Sequence, residues 1–209
     1  MADIKKWEDY DKIIAPNGEI IDMNKLIEDL ERSKAALVHL CPMFGDFISR
    51  LKIVYTFHIK TQATDGNLYL INPQFTQNLS FTEKVFVMAH EYMHCLLNHM
   101  RRAKNLNVTP QMANGAADYE CNVTLAKGVP HGLGIVGIPV MTKLGALIDK
   151  KYDGWGFERI YKEVGPIKDE SQENEQKSEP TIIKQKADAD YIRGWNQAME
   201  DYKNGKIKF

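Results

Sequence analysis

His90 and His94 stand four residues apart in the run VMAHEYMHCLLNHM, residues 87–100, and Glu91 directly follows the first. On an α-helix, about 100° per residue leaves the two imidazoles about 40° apart and one turn removed, so both reach a single ion. Glu91 lies at the edge of the same face. Two nitrogen donors and a carboxylate in the order His-Glu-x-x-His suit a zinc ion and the water beside it: neutral imidazoles as ligands, a carboxylate as base. The competing reading is a buried helix whose histidines bond backbone carbonyls. Burying Glu91 and two imidazoles among apolar neighbours is costly without partners. A dication supplies that partner, so the metal reading is preferred.

Two histidines and a base still need a third ligand. His99 is nine residues from His90, a rotation of about 900°, which puts it on the opposite face of a continuous helix. A turn bringing a third histidine round calls for a glycine, and Cys95–Asn98 offers none, so His99 reads as a surface or core residue. The next helical run carries Asn114, Asp118 and Asn122 at i, i+4 and i+8, a polar stripe in a small, apolar sequence. Asp118 is the candidate ligand, with Asn122 and Asn114 bracing the site from one turn either side. A stripe turned to solvent is the alternative. Cys121 is a rival thiolate ligand, and Glu120, turned about 200° from Asp118, is a poor one.

These side chains need elements to hold them. Residues 22–40 have helical apolar spacing, with Asp22 or Asn24 as cap and Pro42 beyond the end. LKIVYTFHIKT and LYLINP, either side of the turn signal TDGN at 64–67, predict an antiparallel hairpin. Residues 78–105 predict one long buried helix opened by a Ser80/Glu83 capping box. A second helix runs from Thr109 to Gly128. Residues 129–157 are rich in Gly and Pro and predict an irregular section around one short helix, followed by a helix in GFERIYKEVG. The fold class is α+β, zincin-like: a small sheet packed on the histidine helix, with a second helix completing the site. The domain expectation is a metallopeptidase unit over 1–167, a disordered charged linker over 168–186, and an amphipathic helix over 187–209 that docks on the core or on a partner.

Bulk composition narrows the function. With 209 residues, 44% hydrophobic and 26% charged, the chain has the makings of an ordinary globular core. A net charge of −1 argues against a dedicated nucleic-acid binder. The N-terminus has no apolar signal core and no segment reaches membrane-spanning length. Cys41, Cys95 and Cys121 are odd in number and lack C-x-x-C spacing, which points to a reducing compartment, the cytoplasm.

ATDG at 63–66, LYLINPQF at 68–75, MAHEYMHCLLNHMRR at 88–102, NGAADYECN at 114–122 and YDGWGFERIYKEV at 152–164 together resemble the putative metallopeptidase domain of the predicted metal-dependent peptidases. In many of those proteins the domain precedes a von Willebrand factor A-like domain, for which this chain has no room. The likeness covers residues 20–165, the tail from Lys168 falls outside the family's core, and the whole is similar to short stand-alone versions encoded by phages. The resemblance implies Asp118 as third ligand, because the family keeps an aspartate in that small-residue helix.

The expected activity is peptide-bond hydrolysis with Zn2+ held by His90, His94 and Asp118, and Glu91 moving the proton. His131, Tyr152 or Tyr119 is the expected transition-state stabiliser, and the second hairpin strand the edge along which a peptide or protein substrate adds. Two other readings stand beside it. One is a non-catalytic binding module with a structural metal, closed by Cys121 or His131 as fourth ligand; the other is a zinc hydrolase acting on a non-peptide amide.

Overall fold

The computed structural model describes residues 11–127 and 138–165. The described chain is mixed α+β. Its order is β1 (Lys12–Ile14), β2 (Ile20–Asp22), α1 (Met23–Leu40), α2 (Phe44–Arg50), β3 (Lys52–Tyr55), β4 (Gln62–Thr64), β5 (Leu68–Ile71), α3 (Pro73–Gln77), α4 (Phe81–Leu96), α5 (His99–Asn105), α6 (Pro110–Lys127), α7 (Ile138–Lys143) and α8 (Phe157–Val164). A 3-10 turn at Lys150–Tyr152 precedes α8. None of the described helices is long and apolar enough to cross a membrane. Cys41, Cys95 and Cys121 are all free. The linker and terminal helix expected over 168–209 lie outside the described residues.

Helix α1 begins where its cap predicts. The Asp22 carboxylate accepts the Lys25 backbone N–H, so Asp22 rather than Asn24 closes the first turn. Leu26, Leu30 and Leu37 then fall on one buried face. That face meets α4, where a buried Lys84 donates to Asp29 of α1 and to the Leu79 carbonyl. Tyr92 of α4 packs on Phe44 and on Tyr69 of β5, with ring centroids 6.1 and 5.5 Å apart. The histidine helix thus lies between a helical layer and the sheet, which is why apolar residues run nearly all round it.

The sheet corrects the hairpin expectation. Residues 51–61 do not form one strand: β3 pairs parallel with β5, and β4 pairs antiparallel with β5, in the order β3-β5-β4. The Asn72 side chain donates to the carbonyls of Ile59 and Lys60 and holds the intervening bend. TDGN does make the expected turn, but between β4 and β5. Asp65 accepts the backbone N–H groups of Asn67 and Leu68, and Gly66 takes φ +90°. β5 is consequently the centre, buried along its whole length, and β4 is the edge. The β1–β2 hairpin was not anticipated, although PNG between two Ile-Ile pairs is its turn signal.

The predicted single helix over 78–105 is two. Asn98 adopts the left-handed conformation, φ 57° and ψ 38°, and ends α4 before α5 begins. Asparagine tolerates this region better than most side chains do, so the turn needed no glycine. The break takes His99 off the far face and returns it, buried, toward α4 and α6. Helix α6 packs on α4 through one face. Through another it meets α8, in a separate cluster of Ala103, Ala113, Ala116, Ala117, Phe157 and Ile160.

Two outcomes follow from these helix ends. Ser80 and Glu83 form the reciprocal capping box, and Lys143 of α7 adds an ion pair to Glu83. Hydrogen bonds from Lys143 and Ser80 hold the Glu83 carboxyl at about 2 against an ordinary 4.5. Its stabilisation is therefore present above the unfolded value and lost as pH falls towards the folded one. In urea unfolding, the stability gap between wild type and Glu83→Gln should narrow steadily from about pH 5 down to about pH 3; a gap that is constant over that range would contradict the assignment. At Asn98, replacement by Gly should be tolerated, while Asn98→Val should cost about 1–2 kcal/mol in the same assay.

Candidate metal centre

α4 and α6 cross so that His90, His94 and Asp118 converge. His90 Nε2 and His94 Nε2 are 3.0 Å apart. Asp118 Oδ1 lies 3.4 Å from the first and 3.2 Å from the second. That oxygen is buried and accepts no hydrogen bond from the described residues, an arrangement native proteins rarely leave. Ligand atoms about 2.0–2.1 Å from an ion, at tetrahedral angles, stand about 3.3 Å from one another. The three measured separations bracket that spacing, and two imidazoles with a carboxylate are a donor set suited to zinc and its transition-metal neighbours. The side chains present fit a single ion.

The remaining polar atoms of the stripe brace this triangle. Asn122, almost wholly buried, places Oδ1 2.9 Å from His90 Nδ1 and donates its amide to the Leu147 carbonyl at 3.2 Å. With one hydrogen on the ring, His90 Nδ1 donates to Asn122 and Nε2 keeps a lone pair for a metal ion. Asn114 donates to the other oxygen of Asp118, Oδ2, at 3.1 Å. Asp118 and Asn122 of the stripe therefore face α4, while Asn114 at its outer end is exposed.

Cys121 also belongs to the neighbourhood. His90, His94 and Cys121 form a group whose ligand atoms all lie within 4.8 Å, a candidate metal site among the described residues. The sulfur stands 3.7 Å from His99 Nδ1, on the side of His94 where His99 sits. Asp118 Oδ1 lies within 3.4 Å of both Nε2 atoms. Burial pushes the Cys121 thiol well above its ordinary value.

Charge at the centre is settled by competition between burial and neighbours. At His90 burial works against protonation, but the Asp118 carboxylate outweighs it and lifts the group to about 9. At His94 burial prevails over Asp118, and the facing His90 adds to it, so the value falls to about 4. Burial would raise Asp118, yet the two imidazoles hold it well below the usual carboxylate range.

Glu91 is on the wall of the same cavity, which has a volume of about 510 Å³. Burial raises its carboxyl to about 8, against the pull of His90 and of a hydrogen bond from the Thr64 backbone N–H. Thr64 is on the edge strand. Thr61 O accepts from Asn72 N, Ala63 pairs with Leu70, and Asp65 N donates to Leu68 O. The intervening Gln62 and Thr64 turn their backbone groups the other way, over the cavity. Phe75, Phe86, Leu144 and Ala146 add apolar wall beside them.

Other expected residues are not brought here. Tyr152 and Tyr119 do not line the cavity; their rings pack on each other, centroids 4.7 Å apart, and Tyr152 also meets Trp155. Both rings belong to the contact of α6 with the 3-10 turn that precedes α8. His131 lies outside the described residues. Sequence reasoning in turn passed over His99 and Glu120. His99 Nδ1 is 3.0 Å from His94 Nδ1, and its Nε2 is 2.8 Å from Glu120 Oε2. The rotation that excluded both holds for an unbroken helix and for direct ligation, but not for contact through a third side chain.

No curated protein and no solved structure matches the chain. A family model does, the one described as "Putative metallopeptidase domain", over residues 26–208. Its span takes in the tail from Lys168 that the sequence reading set outside the family, and that boundary is corrected. With nearly its whole length matched, the chain belongs to the family of this putative metallopeptidase domain.

Proposed function

We propose that the protein is a zinc-dependent metallopeptidase of the zincin type, with His90, His94 and Asp118 as ligands and Glu91 as general base. The observation that carries this reading is the buried Asp118 Oδ1, without a hydrogen-bond partner among the described residues, standing within 3.4 Å of two ring nitrogens. Family membership supports a peptidase, and hence a peptide or protein substrate. A zinc ion in this site supplies Lewis acidity, lowering the pKa of water and polarising a carbonyl.

The chain's own residues do the rest. Glu91, against the Thr64 backbone, takes a proton from the attacking water and delivers it to the amine nitrogen as the peptide bond breaks. The backbone groups of Gln62 and Thr64 offer an extended peptide the free side of β4. This edge takes the part first expected of the second hairpin strand, β5, which is covered on both sides. Asn122 keeps the His90 lone pair directed inward, and Asn114 steadies Asp118.

Cys121 favours a second reading, a closed structural metal site in a binding module, because its sulfur is near both histidines. Metal analysis separates the two. Wild type should carry about one zinc per chain, Asp118→Ala should lose it, and Cys121→Ala should retain it. Zinc kept by Asp118→Ala and lost by Cys121→Ala would transfer the site to the thiol. Glu91→Gln should keep the metal while cleavage of a peptide library falls by about 10²–10⁴-fold. Cleavage at a near wild-type rate would remove Glu91 as the base, and turnover of simple amides without peptides would redirect the substrate class.

A further inference from the structure

We propose that His99 is a positioning residue for the metal centre: it holds His94 in the tautomer that presents Nε2 as a lone pair, and Glu120, Arg102 and Glu158 hold His99. This rests on the reading above that His94 is a ligand.

The argument follows the protons. His94 Nε2 faces His90 and Asp118, and its Nδ1 stands 3.0 Å from His99 Nδ1. Two imidazole nitrogens at that distance share one proton, so one donates and the other accepts. The far end of His99 decides which. Glu120 Oε2 stands 2.8 Å from His99 Nε2 and also accepts from Arg102 Nη1 at 2.9 Å and the Phe157 backbone N–H at 2.9 Å. An oxygen ringed by three donors accepts from all of them, so His99 Nε2 carries its hydrogen. With one hydrogen on the ring, at Nε2, His99 keeps a lone pair on Nδ1. His94 Nδ1–H fills it, and His94 Nε2 is left bare toward the metal position.

The outer layer is rigid for a reason of its own. The Arg102 guanidinium makes a two-pronged contact with Glu158, Nε to Oε1 at 2.8 Å and Nη2 to Oε2 at 2.7 Å, while Nη1 also reaches the Leu97 carbonyl at 3.1 Å. That planar fork ties the Leu97 carbonyl at the end of α4, Glu120 of α6 and Glu158 at the start of α8 to one guanidinium. His99 is buried against Phe157. A purely structural role for this network predicts effects on folding alone; a positioning role predicts effects on the metal as well.

Zinc affinity, by competition with a chromophoric chelator, and the visible spectrum of the cobalt-loaded protein separate these roles. His99→Phe keeps the packing and removes the acceptor; zinc should bind about 10–100-fold more weakly, with an altered cobalt spectrum. His99→Asn puts a carbonyl oxygen near the place of Nδ1 and should recover affinity to within about threefold of wild type. His99→Gln reaches toward Glu120 instead, leaves His94 Nδ1 without its acceptor, and should bind as weakly as His99→Phe. Wild-type affinity and an unchanged cobalt spectrum in the Phe and Gln variants would overturn the proposal. Where His99→Phe does not fold, equal affinity of the Asn and Gln variants would do so. A wild type without zinc affinity, or an Asp118→Ala variant that binds as well as wild type, would overturn the parent reading too, and so differs from a zinc-binding protein indifferent to His99.

Discussion

A carboxylate oxygen buried between two imidazoles, with no hydrogen bond of its own among the described residues, is the constraint on which this structure turns. Removing Asp118 from water is costly unless positive charge faces it. The protein alone answers with a proton raised to about 9 on His90, and a dication answers more fully. Either way, α4 and α6 are held in one register, because the charge on α6 is useful only where the two rings of α4 meet it. The crossing of these helices is thus an electrostatic arrangement as much as a packed one.

Small residues make the crossing close enough. Ala113 and Ala117 are buried and line the cavity beside Asp118, where bulkier side chains would crowd the approach of the carboxylate to the rings. The short side chains of the stripe then act at different depths. Asn114 meets the outer oxygen of Asp118 near the surface, and Asn122 meets His90 and the Leu147 carbonyl well inside. Through that last bond the segment 144–147, which forms part of the cavity wall, is tied to the orientation of a candidate ligand.

Spacing carried the inner part of this site into the sequence, and the reason is that α4 and α6 are regular where it matters. Four-residue intervals place His90 over His94 and Asn114, Asp118 and Asn122 in line, and periodicity reports such relations without tertiary knowledge. The caps at Asp22, Ser80 and Glu83 were legible for the same reason, since a cap acts within three residues. The errors came where a local rule met a distant partner. Residues 51–61 are rich in β-formers, but the Asn72 side chain, bonded to Ile59 and Lys60, divides them. Nothing in Leu97-Asn98-His99 outweighs helical propensity locally. The left-handed turn there is repaid by the bonds of His99 and Arg102 to α6 and α8, elements that follow in the chain.

That turn also explains why α6 carries two polar faces rather than one. Asp118 and Glu120 are two residues apart and so point about 200° from each other around the helix axis. In an isolated helix only one of them would serve the site. Here α4 occupies one face, and α5, folded back at Asn98, brings His99 and Arg102 to the other. Asp118 bears on His94 from the Nε2 side directly; Glu120 bears on it from the Nδ1 side through His99. A single rigid helix thereby fixes both ends of one imidazole, and any rotation of α6 that displaced the carboxylate would loosen the tautomer as well. The site's geometry and its proton arrangement are set by the same element.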